Sequence, residues 1–328
     1  MAILAVGDYY ALNMDDIDVG VLFDGIPTVA TSSTFTLSYS GADIYDTFNG
    51  QGFQYDSMGV PNGGVVTGFH ETVNGVLAAT VSGVSVSVPS LVSWAYTGDN
   101  VAMRTAFFGG ADTVTGGAQS DLLRGYAGND SISGGGGADT LDGGPGSNVL
   151  FGGDGDDYIC ASVDGFTRAN GNQGQDTIIG QSSVGDWLLG GQGNDVISAT
   201  AATGHDIING SMGDDSVTGG SGGDTLRGGQ GDDVIRGGAG SDLIFGDLGN
   251  NTISGGGGAD TFHGGNGAAQ DKITDFNQAQ GDHIQIAAGL TWTTSQVGAD
   301  AHVDVSNGDV MILQNVALTS LHTGWISY

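Results

Sequence analysis

Cysteine is almost missing from this 328-residue chain. Cys160 stands alone, so no disulfide can form within it. Positive charge is nearly as scarce. Six basic residues (Arg104, Arg124, Arg168, Arg227, Arg236 and Lys272) face 37 acidic ones, and the formal net charge is −31. Such a chain repels nucleic acid and anionic membrane surfaces and attracts cations. No apolar run approaches membrane-spanning length. The start, MAILAVGDYYALNMDD, lacks a basic region and a long apolar stretch, so a cleaved N-terminal export signal is not expected.

Glycine is in excess. There are 64, about a fifth of the chain against a usual ~7%. They do not fall at every third position, which excludes a collagen helix. High charge with high glycine could mean disorder, but 38% of the residues are apolar and they recur at a fixed spacing.

That spacing is nine residues. From Gly116 the chain reads GGAQSDLLR, GYAGNDSIS, GGGGADTLD, GGPGSNVLF, GGDGDDYIC; from Gly210 it reads GSMGDDSVT, GGSGGDTLR, GGQGDDVIR, GGAGSDLIF, GDLGNNTIS, GGGGADTFH. The pattern is G-G-x-G-x-D-x-U-x, with U a large apolar residue. The acidic position runs Asp112, Asp121, Asp130, Asp139, Asn148, Asp157, then Asp176, Asp186 and Asp195, then Asp206, Asp215, Asp224, Asp233, Asp242, Asn251 and Asp260. The U position two residues later is apolar in every unit, from Val114 to Phe262. Glycines in the first six residues permit positive φ and let carbonyls point at an ion. The x-U-x triplet is a short strand with U facing in and its neighbours out.

These repeats resemble the repeats-in-toxin (RTX) family, strongly over 109–275. The resemblance implies an all-β chain whose centre is a right-handed parallel β-roll. Two units complete one coil of about 18 residues. Residues 18 apart, such as Asp206, Asp224, Asp242 and Asp260, then share an edge. A hard cation wants six to eight oxygens, which two stacked turns supply as carboxylates and glycine carbonyls. The resemblance implies Ca²⁺ between like-edge turns, so the sixteen residues at the acidic position are the expected metal ligands and several ions the expected cofactor. Mg²⁺ fits less well, because it demands a tight octahedron. Aspartate also forms turns without metal, but carboxylates stacked along an edge would then repel one another. Asn148 and Asn251 keep an oxygen but lose a charge, so weaker sites are expected there.

Three segments follow. Residues 1–108 lack the repeat and are read as a small β-rich domain. Alternation in Thr34–Tyr39 and Val84–Val88 predicts half-buried strands, and Asp99 is placed to cap a short helix through Phe108. FNGQGFQYDSMGVPNGG (48–64) resembles an N-terminal segment of other RTX proteins. Residues 109–275 are the expected roll, interrupted near 161–170 (ASVDGFTRAN), where a bulge is expected. Residues 276–328 are the expected cap. DKITDFNQAQGDHIQI (271–286) resembles the end of RTX rolls, and strands such as Val310–Leu313 would cover the last coil. By the same resemblance the C-terminal part carries an uncleaved signal for a type I secretion exporter, which places the protein outside the cell or on its surface.

Enzyme motifs fail. His70-Glu71 is followed by Thr-Val-Asn, so the zinc-protease pattern H-E-x-x-H is absent. The G-x-S-x-G match at Gly219–Gly223 lies inside a repeat and not between a strand and a helix. A His263/His283 metal pair is weighed against polar contacts in the cap, which are favoured. The chain is therefore read as a non-enzyme. The leading function is a secreted, calcium-binding structural protein of the surface-layer or biofilm-matrix type that folds and self-associates on Ca²⁺. A monomeric adhesin with 1–108 as its recognition head is the alternative, and a secreted hydrolase a remote one. Outward positions Phe151, Tyr158, Cys160, Ile179, Trp187 and Leu189 are unusually apolar. Either Phe166 and the bulge fold back over them, or they form a contact surface.

Overall fold

In the computed structural model, residues 3–6, 26–30, 34–38, 44–55, 61–73, 76–87, 90, 100–264 and 269–328 are described. They divide into two compact units, Met1–Gly153 and Asp154–Tyr328. The described chain is β throughout except for short helical segments such as Asn100–Phe108 and Leu318–Ser320, and its repeats wind as a parallel β-roll.

The first unit opens with an antiparallel meander. Strands Ile26–Ala30, Thr34–Ser38, Ile44–Tyr55, Pro61–Val73 and Val76–Ser87 pair in sequence order. The alternation at 34–39 and 84–88 therefore falls on strands as expected, except that Tyr39 and Val88 lie outside the described residues. Strand Ile3–Val6 pairs antiparallel with Val76–Ser87 on one side. On the other it pairs parallel with Thr113–Thr115, the first strand of the roll, in the register Ile3↔Thr113. The N-terminal strand thus covers an edge that the first coil would otherwise leave open. Helix Asn100–Phe108 ends where the roll begins, and its residue Phe108, buried, stacks on Tyr126 at 5.9 Å. Asp99, the expected cap of that helix, lies outside the described residues. Thr113–Thr115 then pairs parallel with Ser131–Gly136, and Leu122–Arg124 with Thr140–Asp142.

The second unit is also built of coils. One face stacks Arg168–Gln173, Trp187–Gln192, Ile207–Met212, Thr225–Gln230, Leu243–Leu248, Thr261–Gly264 and His283–Ile286, all parallel. The other stacks Tyr158–Cys160, Thr177–Ile179, Val196–Ser198, Ser216–Thr218, Val234–Ala239, Thr252–Gly257 and Gln270–Ile273. Every U residue is buried, and within the unit each face contributes one column of single side chains to the core.

The expected bulge is narrower than 161–170. Strand Arg168–Gln173 is a regular rung, with Ala169 fully buried at the U position and Thr167 at the acidic position. Alanine is small for U and threonine carries no charge, so neither matched the pattern. Only the turn ahead of them is enlarged. Phe166 does not close over the neighbouring face: Phe166 and Trp187 are both exposed.

At the C-terminal end Val310–Leu313 adds in parallel to Gln270–Ile273, and the hairpin Trp292–Val297/Asp300–Val305 follows it antiparallel. Strand Ile326–Ser327 adds to His283–Ile286. His283 ties this end down, with Nδ1 3.1 Å from the Gly324 carbonyl and Nε2 2.7 Å from Ser327 Oγ.

Candidate metal centre

All sixteen sequence-predicted ligand residues are buried, none more than 4% exposed. They lie at the turns, because each immediately precedes an x-U-x strand whose pairing sets its height. In each unit they form two ladders. In the first, Asp112 N–H donates to Asp130 Oδ1 at 2.8 Å and Asp130 N–H to Asn148 Oδ1 at 2.9 Å; on the other edge Asp121 N–H donates to Asp139 Oδ1 at 2.7 Å.

In the second unit one ladder runs from Thr167 through Asp186, Asp206, Asp224 and Asp242 to Asp260. The other runs from Asp157 through Asp176, Asp195, Asp215 and Asp233 to Asn251. The donor is each time the backbone N–H one coil earlier, so one carboxylate oxygen is spent on joining coils.

The second oxygen has a different fate. Oδ2 of Asp130, Asp176, Asp195, Asp206, Asp215, Asp233, Asp242 and Asp260 is buried without a hydrogen-bond donor. For Asp130, Asp176, Asp195, Asp215, Asp233 and Asp242 it points to the open side of the first glycine of its own turn, where the first glycine carbonyl of the next coil also points. A Cβ placed on Gly125 would lie 2.5 Å from both Asp130 Oδ2 and the Gly143 carbonyl oxygen. The same pairing recurs at Gly171, Gly190, Gly210, Gly228 and Gly237. Glycine is required there because any side chain would fill an oxygen-lined cradle.

Burying an acceptor opposite other acceptors is costly unless a cation joins them. The carboxyl groups register this. Desolvation first, with neighbouring carboxylates adding to it at several rungs, pushes Asp195, Asp206, Asp215, Asp233 and Asp242 up to about 7. Desolvation, against a lowering backbone hydrogen bond, raises Asp130, Asp139 and Asp176 to about 6. Among the described residues no three carboxylate, imidazole or thiol groups converge. An ion held here would take carboxylate oxygens and complete its shell with glycine carbonyls, a hard all-oxygen set suited to Ca²⁺.

Two aspartate turns keep this pairing, at Gly116 and Gly219, and add a donor to it. Asp121 Oδ2 accepts the Gly117 N–H at 2.8 Å and Asp224 Oδ2 the Gly220 N–H at 2.7 Å.

The repeat register also misses residues. Asp271 and Asp282 extend the two ladders past the last repeat, accepting the N–H groups of Asn251 at 3.3 Å and Asp260 at 3.2 Å. Their signal is the triplet D-x-I, present at Asp271–Ile273 and Asp282–Ile284 but out of nine-residue phase. The D-F pair that follows the first of these closes the end of the roll. Asp275 accepts the N–H groups of Gly255 and Gly256, and Phe276 packs against Phe262 and Trp325. A further, solvent-exposed ladder uses the residue before the buried aspartate, as where Asp214 accepts the Asp232 N–H at 2.8 Å and Asp232 the Asn250 N–H at 2.7 Å. His263 and His283 form no pair: His263 lies against Phe245, and His283 serves the cap.

The RTX calcium-binding nonapeptide repeat model matches in overlapping stretches from 108–141 to 236–269. No curated protein matches the chain. Among solved structures, the AlgE6R3 subunit of the Azotobacter vinelandii mannuronan C5-epimerase is 26% identical. It aligns with 35% of this chain and 78% of its own, at a TM-score of 0.28. The extracellular lipase LipA of Serratia marcescens is 18% identical over 66% of this chain and 40% of its own, also at 0.28.

Proposed function

This chain is an RTX calcium-binding repeat protein, and from that premise we propose that it is a secreted structural component of the cell surface or extracellular matrix, which folds on binding Ca²⁺ and then self-associates. The observation that carries the reading is the row of buried Oδ2 atoms facing glycine carbonyls, a set of cradles that only a cation completes. The fourteen aspartates of the repeat register, from Asp112 to Asp260, are the proposed ligands, each through the carboxylate oxygen that does not join the coils. At extracellular calcium, affinities on the order of 10⁻⁴ to 10⁻³ M suffice to fill such modules. At cytosolic levels the chain stays unfolded and fit for threading through a type I exporter. In this reading 1–108 is the head, 109–275 the roll, and 276–328 the cap with the export signal.

Self-association is supported by the outer face of the second unit. Trp187 is 41% exposed and Ile207, its neighbour in register, 47%, with the Arg168 guanidinium 5.3 Å from the Trp187 ring centroid. Aromatic and aliphatic side chains in the open on a chain of net charge −31 suit an interface that forms once bound cations lower the repulsion. Light scattering of the purified protein with and without Ca²⁺ tests this. Calcium-dependent assemblies support it; a folded, calcium-loaded monomer at all concentrations points instead to an adhesin that works through 1–108.

A further inference from the structure

Two rungs of the ladders carry asparagine, and their geometry departs from the aspartate rungs at one atom. Oδ1 of Asn148 accepts the Asp130 N–H at 2.9 Å, and Oδ1 of Asn251 accepts the Asp233 N–H at 2.9 Å, as an aspartate oxygen does elsewhere. That bond fixes the amide orientation, since only the oxygen can accept from an N–H. Nδ2 therefore takes the position of Oδ2, inside the turn. From there Asn148 Nδ2 donates to the Gly144 carbonyl at 3.0 Å and lies 3.4 Å from that of Gly146. Asn251 Nδ2 donates to Asp271 Oδ1 at 2.8 Å and lies 3.4 Å from the Gly249 carbonyl. Both side chains are 1% exposed.

We propose that these two asparagines act as built-in cation substitutes, so that their own turns are closed by the amide group and take no Ca²⁺. A cation at an aspartate rung is needed because a carboxylate oxygen and carbonyl oxygens face one another. At the asparagine rungs a donor with two hydrogens already stands among those oxygens. A cation in the same place would meet an N–H₂ group already bonded to the Gly144 carbonyl at Asn148 and to the Asp271 carboxylate at Asn251, where an aspartate rung would offer a second carboxylate oxygen. At Asn251 the amide also satisfies the buried Asp271 carboxylate. The rungs expected to be the weaker calcium sites are on these grounds calcium-free links that hold whether or not the aspartate rungs are loaded.

The inference rests on the aspartate turns being the calcium sites, and one experiment separates the two claims. Native mass spectrometry counts the Ca²⁺ ions on the full-length wild type and on Asn148→Asp, Asn251→Asp and Asn251→Ala. Each Asp variant is expected to carry one ion more than the wild type, because a carboxylate restores the face-to-face oxygens. Asn251→Ala is expected to keep the wild-type count while unfolding at a lower temperature in calcium. An unchanged count in both Asp variants overturns the proposed cation substitution, as does loss of an ion in Asn251→Ala, which would mean that Asn251 was a ligand. A wild type that binds no Ca²⁺ at all removes the calcium reading itself and the inference with it.

Discussion

The backbone N–H of Asp215 donates to Oδ1 of Asp233, one coil further on, at 2.8 Å, while Oδ2 of that same carboxylate is buried without a donor and faces the Gly246 carbonyl. One side chain thus joins two coils through a charge-assisted hydrogen bond at one oxygen and leaves the other oxygen of the same carboxylate unmet. On the proposed reading protons and calcium ions compete for that oxygen, and the behaviour of the roll should follow from which one it holds.

Acid should partly replace calcium. Asp233, Asp215, Asp195, Asp206 and Asp242 titrate near 7 in the metal-free fold against 3.8 ordinarily. A carboxyl whose folded pKa is raised binds more protons folded than unfolded between the two values, so its contribution is present at low pH and lost as pH rises through the folded pKa. Metal-free protein should therefore show more β structure by circular dichroism at about pH 5 than at about pH 8, within the window from about 4 to about 7 set by these shifts. With Ca²⁺ the trend reverses, because protons displace the ion, and the calcium midpoint should rise as pH falls below about 7. A metal-free roll equally folded at both pH values would contradict this.

Filling one cradle should remove one site. In Gly125→Ala the new methyl would sit 2.5 Å from Asp130 Oδ2 and from the Gly143 carbonyl oxygen, in the space left for an ion. In Gly257→Ala it would meet nothing within 4 Å. Calcium titration followed by calorimetry should give Gly125→Ala fewer bound ions and a lower midpoint of thermal unfolding. Gly257→Ala should stay within about 0.5 kcal/mol of the wild type, as surface changes do.

The exposed aromatic should matter for assembly and not for folding. Trp187→Ser removes a side chain that is 41% exposed while its strand neighbour Leu188 stays in the core. Calcium-induced circular dichroism should be unchanged, and the protein concentration needed for scattering assemblies should rise roughly 10-fold, the equivalent of about 1.4 kcal/mol. Loss of calcium-induced folding in the variant would assign Trp187 to the core instead.

Truncation after residue 270 removes Asp271 and Asp282, the last ladder residues, together with the strands that add to Gln270–Ile273 and His283–Ile286. The proposed export signal goes with them. The truncated chain should accumulate in the cytoplasm of the producing cell, measured by fractionation and blotting. Normal appearance in the medium would place the signal elsewhere.

Period, core and buried acidic edge follow from the order of residues alone. In the parallel stack of equivalent rungs, U must point inward and the turn before it must hold its aspartate at a fixed height, so Val114 to Phe262 and Asp112 to Asp260 are readable as a column. Whatever depends on pairing and not on counting needed the folded chain. Thr167 and Ala169 form a rung because Arg168–Gln173 pairs in register with Trp187–Gln192, although neither residue carries the motif chemistry. Spacings of 19, 20 and 22 residues still close a coil when a turn absorbs the extra length, which is how Asp186, Asp206 and Asp282 reach their ladders. Only three-dimensional hydrogen bonding distinguishes Asp224, whose Oδ2 takes a backbone N–H, from Asp233, whose Oδ2 takes none. It likewise turns the Asn251 amide nitrogen toward Asp271. A donor's direction is set by the neighbouring coil, and that neighbour lies at a distance along the chain that no repeat pattern encodes.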